Sequence, residues 1–300
     1  MKGEDLNRHS KRSRGHLADP RPTEFRNRAG YADHVRNTVI NYVSATEDDV
    51  AIRYLYARAD VQQANLEHSY CHLPMLQHQV DRALAVTEQD AAKLEACTRA
   101  QSRSTVWHSE RAWRLTASSF GQICRCASQK ARINLCKRIV SPPLLTNRAV
   151  LHGRKYESAA ISMFEQATGL TVTPAGLFVR ADYPFLGASP DGIISDSEIV
   201  EVKCPYTGRE CEIAPSRLFP YLCFNDAGDL ELKKFHRYYS QVQGQLLLSK
   251  RQLCYFLVYT FKQLVVIQVP YEADFWSDSV LPKLELFYSK YFRPYVASLL

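Results

Sequence analysis

The stretch Ser189-Pro190-Asp191-Gly192-Ile193-Ile194, followed by Ile199-Val200-Glu201-Val202-Lys203-Cys204-Pro205, decides the fold. Between the two runs, Ser195-Asp196-Ser197 is turn-like in composition. The sequence therefore predicts a hairpin that brings Asp191 beside Glu201. Glu201 and Lys203 are two residues apart on an expected strand, so their side chains point to the same face.

Two carboxylates and one amine at a single place indicate phosphate and metal chemistry. A cluster of carboxylate oxygens suits hard cations such as Mg²⁺ or Mn²⁺, and a neighbouring ammonium can orient water or neutralise a phosphate. Each piece also has a plainer interpretation. A Glu-x-Lys pair on a strand is commonly a solvated ion pair, and an Asp-Gly pair is an ordinary turn. The hypothesis therefore depends on further segments of the chain.

The segments that support the hypothesis are Trp107 to Gly121, His152 to Gly169, and His236 to Leu247. Together with the two quoted runs, they resemble the PD-(D/E)xK nuclease core. Within that core they are most similar to the YqaJ-type viral recombinases, also called the lambda-exonuclease-like or alkaline exonuclease family. The resemblance extends from Trp107 to Phe261.

The resemblance implies an α/β (α+β) fold. The expected core is restriction-endonuclease-like, with a central mixed β-sheet flanked by helices, and a helical region precedes it. We expect a basic, poorly ordered tail over residues 1–45, a helical accessory region over 46–105 and the nuclease domain over 106–300. Residue patterns predict strands at 177–179, 184–187 and 199–203, a hairpin at 254–269, and helices at 50–57, 80–86, 152–167 and 275–299.

The resemblance also assigns the site residues. Asp191, Glu201, the backbone carbonyl of Val202 and Glu157 are implied to hold one or two Mg²⁺ (or Mn²⁺) ions. Lys203 is implied to position or activate the attacking water. Gln241 completes the catalytic set, and Gln245, one helical turn further on the same face, is the second choice for this supporting amide. Glu165, two turns after Glu157, is expected on the surface.

Arg111 and Ser118 match the positions that bind the terminal 5′-phosphate of DNA in relatives. A guanidinium fork suits phosphate oxygens, and a hydroxyl or backbone N–H at a helix start can complete such a pocket. Arg114, three residues later, is the alternative to Arg111. Thr116 or Ser118 can equally serve as a helix cap.

The function implied by the resemblance is a metal-dependent deoxyribonuclease that hydrolyses duplex DNA. The expected activity is 5′-to-3′ exonuclease digestion in recombination or repair. A single-strand annealing protein is the implied partner, and relatives form ring-shaped homo-oligomeric trimers. Two alternatives stay open: an endonuclease with the same core, as in a mobile element, and a catalytically silent DNA-binding protein.

Composition agrees with these expectations. The chain has 300 residues, a net charge of +7 and a pI near 8.9, which favours a polyanionic partner. No apolar run is long enough to span a bilayer, so no membrane association is expected.

The nine cysteines form no CxxC pair, which favours reduced thiols in an intracellular protein. A zinc site at Cys204, Cys211 and Cys223 is the alternative. A basic cluster near the start is a candidate nuclear-import or DNA-contacting tail, so a nuclear location is also considered. Its members are Arg8, Lys11, Arg12 and Arg14.

Overall fold

A computed structural model describes residues 30–46, 75–143 and 147–300. The chain divides into two compact units, Met1–His72 and Leu73–Leu300. In the first unit, helix α1 (Tyr31–Ala45) occupies part of the segment expected to be a poorly ordered tail. The basic cluster near the start and the helix expected at residues 50–57 lie outside the described residues.

The second unit contains the predicted sheet, flanked by helices. Its helices before the sheet are α2 (Met75–Leu84), α3 (Glu88–Cys97), α4 (Thr105–Ala112), α5 (Ala117–Cys124), α6 (Gln129–Val140) and α7 (Arg148–Thr168). Helix α7 ends as its sequence predicts, because Gly169 takes the left-handed conformation with φ 73° that favours glycine.

Four strands form the central mixed sheet, in the order β3-β4-β7-β8. They are β3 (Gly192–Ile193), β4 (Glu198–Lys203), β7 (Leu253–Tyr259) and β8 (Leu264–Pro270). Strands β4 and β7 pair in parallel, whereas the two outer pairs are antiparallel. Parallel neighbours need a crossover, and helix α8 (Arg237–Ser249) lies within it. The crossover also contains the small hairpin of β5 (Leu222–Phe224) and β6 (Leu230–Leu232).

The two faces of β4 pack against different helices. Val200 and Val202 lie in a cluster with Phe164 of α7, whereas Ile199 lies in a cluster with Leu246 of α8. Because side chains alternate along a strand, the residues in register with Ile199 also face α8. This parity directs Glu201 and Lys203 toward α8.

Helix α3 packs directly onto the rest of the second unit. Glu95 of α3 accepts a hydrogen bond from the N–H of Gly176 at 2.9 Å, and Thr98 accepts one from the N–H of Leu177 at 2.8 Å. A Cβ on Gly176 would lie 1.8 Å from the Glu95 carbonyl oxygen. Residues 75–105 therefore lie in the same compact unit as the rest of the described domain.

Two predicted strands lie outside the central sheet. Residues 177–179 form only an isolated bridge between Phe178 and Ala188, because backbone donors just before it bond to α3. Within 184–187, only β2 (Leu186–Gly187) is a strand, and it pairs in parallel with β1 (Leu115–Thr116) in a separate two-stranded sheet.

The predicted closing helix is present but irregular. Its α-helical parts are α9 (Ala273–Phe275), α10 (Leu281–Phe287) and α11 (Arg293–Ala297). π-helical segments, Trp276–Val280 and Tyr288–Phe292, separate them. Each π segment directly precedes a turn that begins with a proline, where a regular helix would lose an N–H donor.

None of the helices in the described part of the chain is long and apolar enough to cross a membrane.

Replacing two helical glycines with alanine should change the stability of the fold in opposite directions. A Cβ on Gly244 of α8 would lie 2.4 Å from the Phe120 ring, so Gly244→Ala should destabilise the fold by about 1–3 kcal/mol. Gly153 of α7 has open space at the same position, so Gly153→Ala should stabilise it by about 0.5–1 kcal/mol. Urea unfolding of both variants measures the two signs, and a stable Gly244→Ala protein would contradict the described contact between α5 and α8.

Candidate active site

The β3–β4 hairpin positions Asp191 as the sequence predicts. The backbone N–H of Asp191 donates to the Val200 carbonyl at 3.0 Å, and Gly192 pairs with Val200. The Asp191 carboxylate itself accepts the N–H of Val202 at 2.7 Å. This bond holds the carboxylate against the edge of β4, one residue from both Glu201 and Lys203.

Glu201 is 2% exposed, and side chains from β4 and α8 satisfy its carboxylate. Gln241 donates to one oxygen at 2.5 Å, and Gln245 donates to the other at 2.6 Å. The Lys203 ammonium contacts the same oxygen as Gln241. Both candidate glutamines therefore contact Glu201, where the sequence favoured Gln241 over Gln245.

The carboxylates of Asp191, Glu157 and Glu201 influence one another. Burial and the charge of Glu201 raise the pKa of Asp191 well above its usual value. Burial and the same charge also raise the pKa of Glu157, which projects from α7. The three predicted carboxylates therefore share one electrostatic environment that holds more negative charge than is favourable without a cation.

Lys203 is the cation within this group. Burial alone would lower the pKa of Lys203, but the carboxylates of Glu201 and Asp191 outweigh burial and raise it. The amine is therefore protonated at neutral and alkaline pH. Its Nζ lies 5.0 Å from the centroid of the Tyr238 ring, whose face adds a second favourable contact for the charge. Tyr238 lies in the segment from His236 to Leu247, but no role was predicted for it from the sequence.

Arg111 is connected to the same hairpin by Trp107. The Arg111 guanidinium stacks on the Trp107 ring at 4.0 Å, and the Trp107 indole N–H donates to the Ser189 hydroxyl at 2.9 Å. Ser189 is two residues before Asp191. Burial lowers the pKa of Arg111 to about 10, and within the described residues no carboxylate pairs with it. A charge kept without a carboxylate partner beside the β3–β4 hairpin is suited to an anionic ligand.

Arg114 has a different role, because its side chain is 1% exposed. It donates to the carbonyl oxygens of Pro184 at 2.9 Å, Glu110 at 3.2 Å and Leu84 at 3.3 Å, and it contacts the Glu110 carboxylate. These bonds connect α2, α4 and the chain before β2. Arg114 is therefore a structural residue, because its buried guanidinium uses four of its five N–H donors on these groups.

Ser118 is exposed in the first turn of α5. Its hydroxyl lies 3.4 Å from that of Thr116, the N-cap residue, which makes no side-chain cap bond. The capping role considered for these hydroxyls is therefore absent. The first N–H groups of the helix lack a side-chain acceptor, which suits the phosphate role expected for Ser118.

Glu165 is a structural residue. Its carboxylate accepts the N–H of Val172 at 2.8 Å and fastens the chain after α7. It is half-buried and has no contact with the site.

Among the described residues, no three His, Cys, Asp or Glu side chains lie close enough together, as they stand, to hold a metal ion. This holds for the zinc alternative at Cys204, Cys211 and Cys223. It also holds for the three carboxylates, because donors from Lys203, Gln241 and Gln245 occupy both oxygens of Glu201.

The donor chemistry nevertheless fits a hard divalent cation. The candidate ligands are all oxygens, and burial together with the neighbouring charge of Glu201 raises the pKa values of Asp191 and Glu157. The Val202 carbonyl lies on the Asp191 side of β4, because the N–H and C=O of a strand residue point the same way. The buried Oε1 of Gln245 has no hydrogen-bond partner beside these groups, and a hydrated cation could supply one.

The contrast between the two arginines gives a stability prediction. Arg114→Ala removes donors from buried carbonyls and from Glu110, so it should lower the free energy of unfolding by about 2–4 kcal/mol. Arg111→Ala loses only the stacking on Trp107 and should cost less than about 2 kcal/mol. Urea denaturation measures both values, and an equal loss in the two variants would contradict the structural role of Arg114.

Comparison with known proteins agrees with the resemblance seen in the sequence. Residues 106–252 match the YqaJ-like viral recombinase domain. The alkaline nuclease of Orgyia pseudotsugata multicapsid polyhedrosis virus is 28% identical over 214 residues, covering 63% of this chain and 48% of the viral protein. The alkaline nuclease of Autographa californica nuclear polyhedrosis virus is 26% identical over 239 residues, covering 72% and 54%. The chain thus spans about half the length of these nucleases.

A solved structure is also similar. The alkaline exonuclease LHK-Exo of Laribacter hongkongensis superimposes with a TM-score of 0.51 at 22% identity, over 65% of this chain and 95% of that protein. This likeness shows the fold, which is the predicted restriction-endonuclease-like one. Residues 106–252 thus match the YqaJ-like viral recombinase domain family, and the chain is similar to viral alkaline nucleases and has the fold of an alkaline exonuclease.

Proposed function

We propose that the protein is a metal-dependent deoxyribonuclease that digests duplex DNA from 5′ ends in recombination or repair. The observation that carries this proposal is the group of three carboxylates, Asp191, Glu157 and Glu201, gathered around the protonated Lys203. The similarity to viral alkaline nucleases supports the activity. A single-strand annealing partner, a trimeric assembly and an intracellular or nuclear location stay predictions from the sequence.

The candidate ligands for one or two Mg²⁺ (or Mn²⁺) ions are Asp191, Glu201, Glu157 and the Val202 carbonyl. When bound, such an ion supplies Lewis-acid stabilisation of the phosphate and a more acidic water. Glu201 has to exchange one of its present donors for the ion. Gln241 and Gln245 then keep its carboxylate oriented from α8.

Lys203 acts as a hydrogen-bond donor and a positive charge. Its raised pKa keeps the amine protonated, so it orients the attacking water or neutralises a phosphate oxygen and does not serve as the base. Its attachment to β4 fixes it next to the scissile phosphate if that phosphate lies on the carboxylates. Tyr238 limits the positions that the ammonium can take.

Arg111 and Ser118 are proposed to bind the terminal 5′-phosphate. Arg111 has the free guanidinium, and Trp107 ties it to the hairpin that carries Asp191. Ser118 offers an exposed hydroxyl and a helix start. A pocket of this kind favours an exonuclease, because an endonuclease cutting inside a duplex has no use for a terminal-phosphate site.

One assay separates the three candidate activities. Purified protein is incubated with 5′-phosphorylated linear duplex or with closed circular duplex, in Mg²⁺ or in EDTA. An exonuclease degrades only the linear DNA and only with Mg²⁺, whereas an endonuclease also cuts the circle. A silent DNA-binding protein cleaves neither substrate, and that result would overturn the proposal.

Lys203→Ala should lower the cleavage rate by roughly 10²–10³-fold, because removing one preorganised donor from a site of developing charge typically costs that much. Metal-dependent DNA binding should persist, since the carboxylates remain. Single-turnover digestion measures the rate. Lys250→Ala is the matched control, because Lys250 is exposed and pairs with Glu88 away from the site. Retention of more than about a tenth of the wild-type rate would remove Lys203 from its role.

Asp191→Asn should weaken Mg²⁺ binding by at least about tenfold and abolish cleavage, because an amide keeps an oxygen but loses the charge that holds the cation. Added Mn²⁺ should restore activity only in part. Titration calorimetry measures the affinity, and Asp182→Asn is the control, since Asp182 pairs with Arg180 at the surface. Equal Mg²⁺ affinity in wild type and Asp191→Asn would contradict the ligand assignment.

Arg111→Ala should slow digestion of 5′-phosphorylated ends by roughly 30–150-fold and erase their advantage over 5′-hydroxyl ends. Matched duplexes that differ only in the terminal phosphate measure the effect. Arg114 cannot serve as the mild control, because its loss destabilises the fold. Arg138→Ala, an exposed arginine on α6, replaces it. A wild type with no preference for phosphorylated ends would contradict the phosphate pocket.

A further inference from the structure

Aromatic side chains gather where the parallel strands β4 and β7 end, next to the candidate active site. Tyr206 follows Lys203 after a short turn, Tyr259 is the last residue of β7, and Tyr156 immediately precedes Glu157. We call this group the ring cluster; its members are His152, Tyr156, Tyr206, Tyr259 and Phe261.

The rings contact one another continuously. The centroid of His152 lies 4.6 Å from that of Tyr156 and 5.6 Å from those of Tyr206 and Phe261. Tyr156 lies 4.9 Å from Phe261 and 6.2 Å from Tyr259. Phe261 is nevertheless 42% exposed, and Tyr206 is only half-buried. Large ring surface therefore faces solvent beside the carboxylates, where packing does not require it.

His152 is a polar side chain within these rings. It is 8% exposed, and its Nε2 has no hydrogen-bond partner. An unpaired buried ring nitrogen is costly in a folded protein. Because this atom is closed off from solvent, the surrounding rings would have to shift before it could reach a ligand on the ring cluster.

The surroundings of the ring cluster are basic. The Arg209 guanidinium lies 4.2 Å from the centroid of the Tyr206 ring, and the Lys155 ammonium lies 5.3 Å from that of Tyr156. Arg154 and Lys262 are exposed on the neighbouring turns. Glu210 is the acidic neighbour, 3.8 Å from Arg209. The excess of cations fits a polymer that carries phosphates.

We propose that the ring cluster binds unpaired nucleotides of a nucleic-acid strand, with bases stacked on Tyr206 and Phe261 and phosphates contacted by Arg209 and Lys155. Only an unpaired strand offers base faces for stacking, whereas a duplex keeps them covered. The inference rests on the proposed function for the class of polymer, but it assigns a binding surface separate from the carboxylates.

The test is equilibrium binding in EDTA, where no cleavage occurs. Fluorescein-labelled dT12 and U12 are titrated with the protein, and fluorescence anisotropy gives the affinity. Phe261→Ala and Tyr206→Ala should each weaken binding by roughly 5- to 150-fold, the loss expected for one stacked base. Phe261→Leu, which keeps an apolar side chain without a ring, should show a similar loss and should melt at the wild-type temperature.

Phe224→Ala is the matched control, because Phe224 is 59% exposed on β5 and outside the ring cluster. It should bind like wild type. If the variants lose affinity for dT12 alone, the ligand is DNA. If they lose affinity equally for dT12 and U12, the ring cluster binds either DNA or RNA. Unchanged affinity in the Phe261 and Tyr206 variants, or an equal loss in Phe224→Ala, would overturn the inference.

This outcome is independent of the nuclease proposal. A wild type that cleaves nothing but loses strand binding on Phe261→Ala contradicts the nuclease proposal and supports the ring cluster. A protein that cleaves linear duplex, but whose Phe261 and Tyr206 variants bind dT12 like wild type, supports the nuclease proposal and contradicts the ring-cluster proposal. Lys250→Ala should bind dT12 like wild type, because Lys250 is exposed and pairs with Glu88 away from the ring cluster.

Discussion

The buried carboxylate of Glu201 is the constraint on which the candidate site depends. A charge removed from water is costly unless it is paired and hydrogen-bonded. Here the ammonium of Lys203 and the amides of Gln241 and Gln245 provide those contacts, and they come from a strand and from the helix behind it. The helix register is therefore set by electrostatics as well as by the apolar contacts around Leu246. A change in any of the partners leaves the others around an uncompensated charge.

Arg111 and Arg114 illustrate how the environment decides the role of a residue type. They are one helical turn apart, yet Arg114 uses its donors on carbonyls and on Glu110, whereas Arg111 rests on an indole ring. Arg114, which is buried, stabilises the fold, and Arg111, which has no carboxylate partner, remains available to a ligand. A pattern search alone cannot separate them, because both match an arginine near a Thr-Ala-Ser segment.

Much of the core could be predicted from the sequence, because local patterns encode it. The alternation around Glu201 and the turn after Ile194 fix the hairpin, and Gly169 fixes the end of α7. The strand expected at 177–179 does not form, because side chains at the end of α3 accept hydrogen bonds from the N–H groups of Gly176 and Leu177. These contacts are distant in sequence and cannot be predicted from the segment itself. The stacking of Arg111 on Trp107 and the contact of Gln245 with Glu201 depend on tertiary packing, which spacing along the chain does not reveal.

The parallel pairing of β4 with β7 has a consequence for folding. Glu201 pairs with Phe256, and the whole segment 204–252 lies between the two strands. Closing such a long loop costs entropy before the contacts that reward it are made, which slows folding. On a ribosome, β4 emerges well before β7, so the carboxylates, the lysine and the two glutamines cannot assemble until the crossover is complete. The candidate site thus becomes organised only after β7 has emerged.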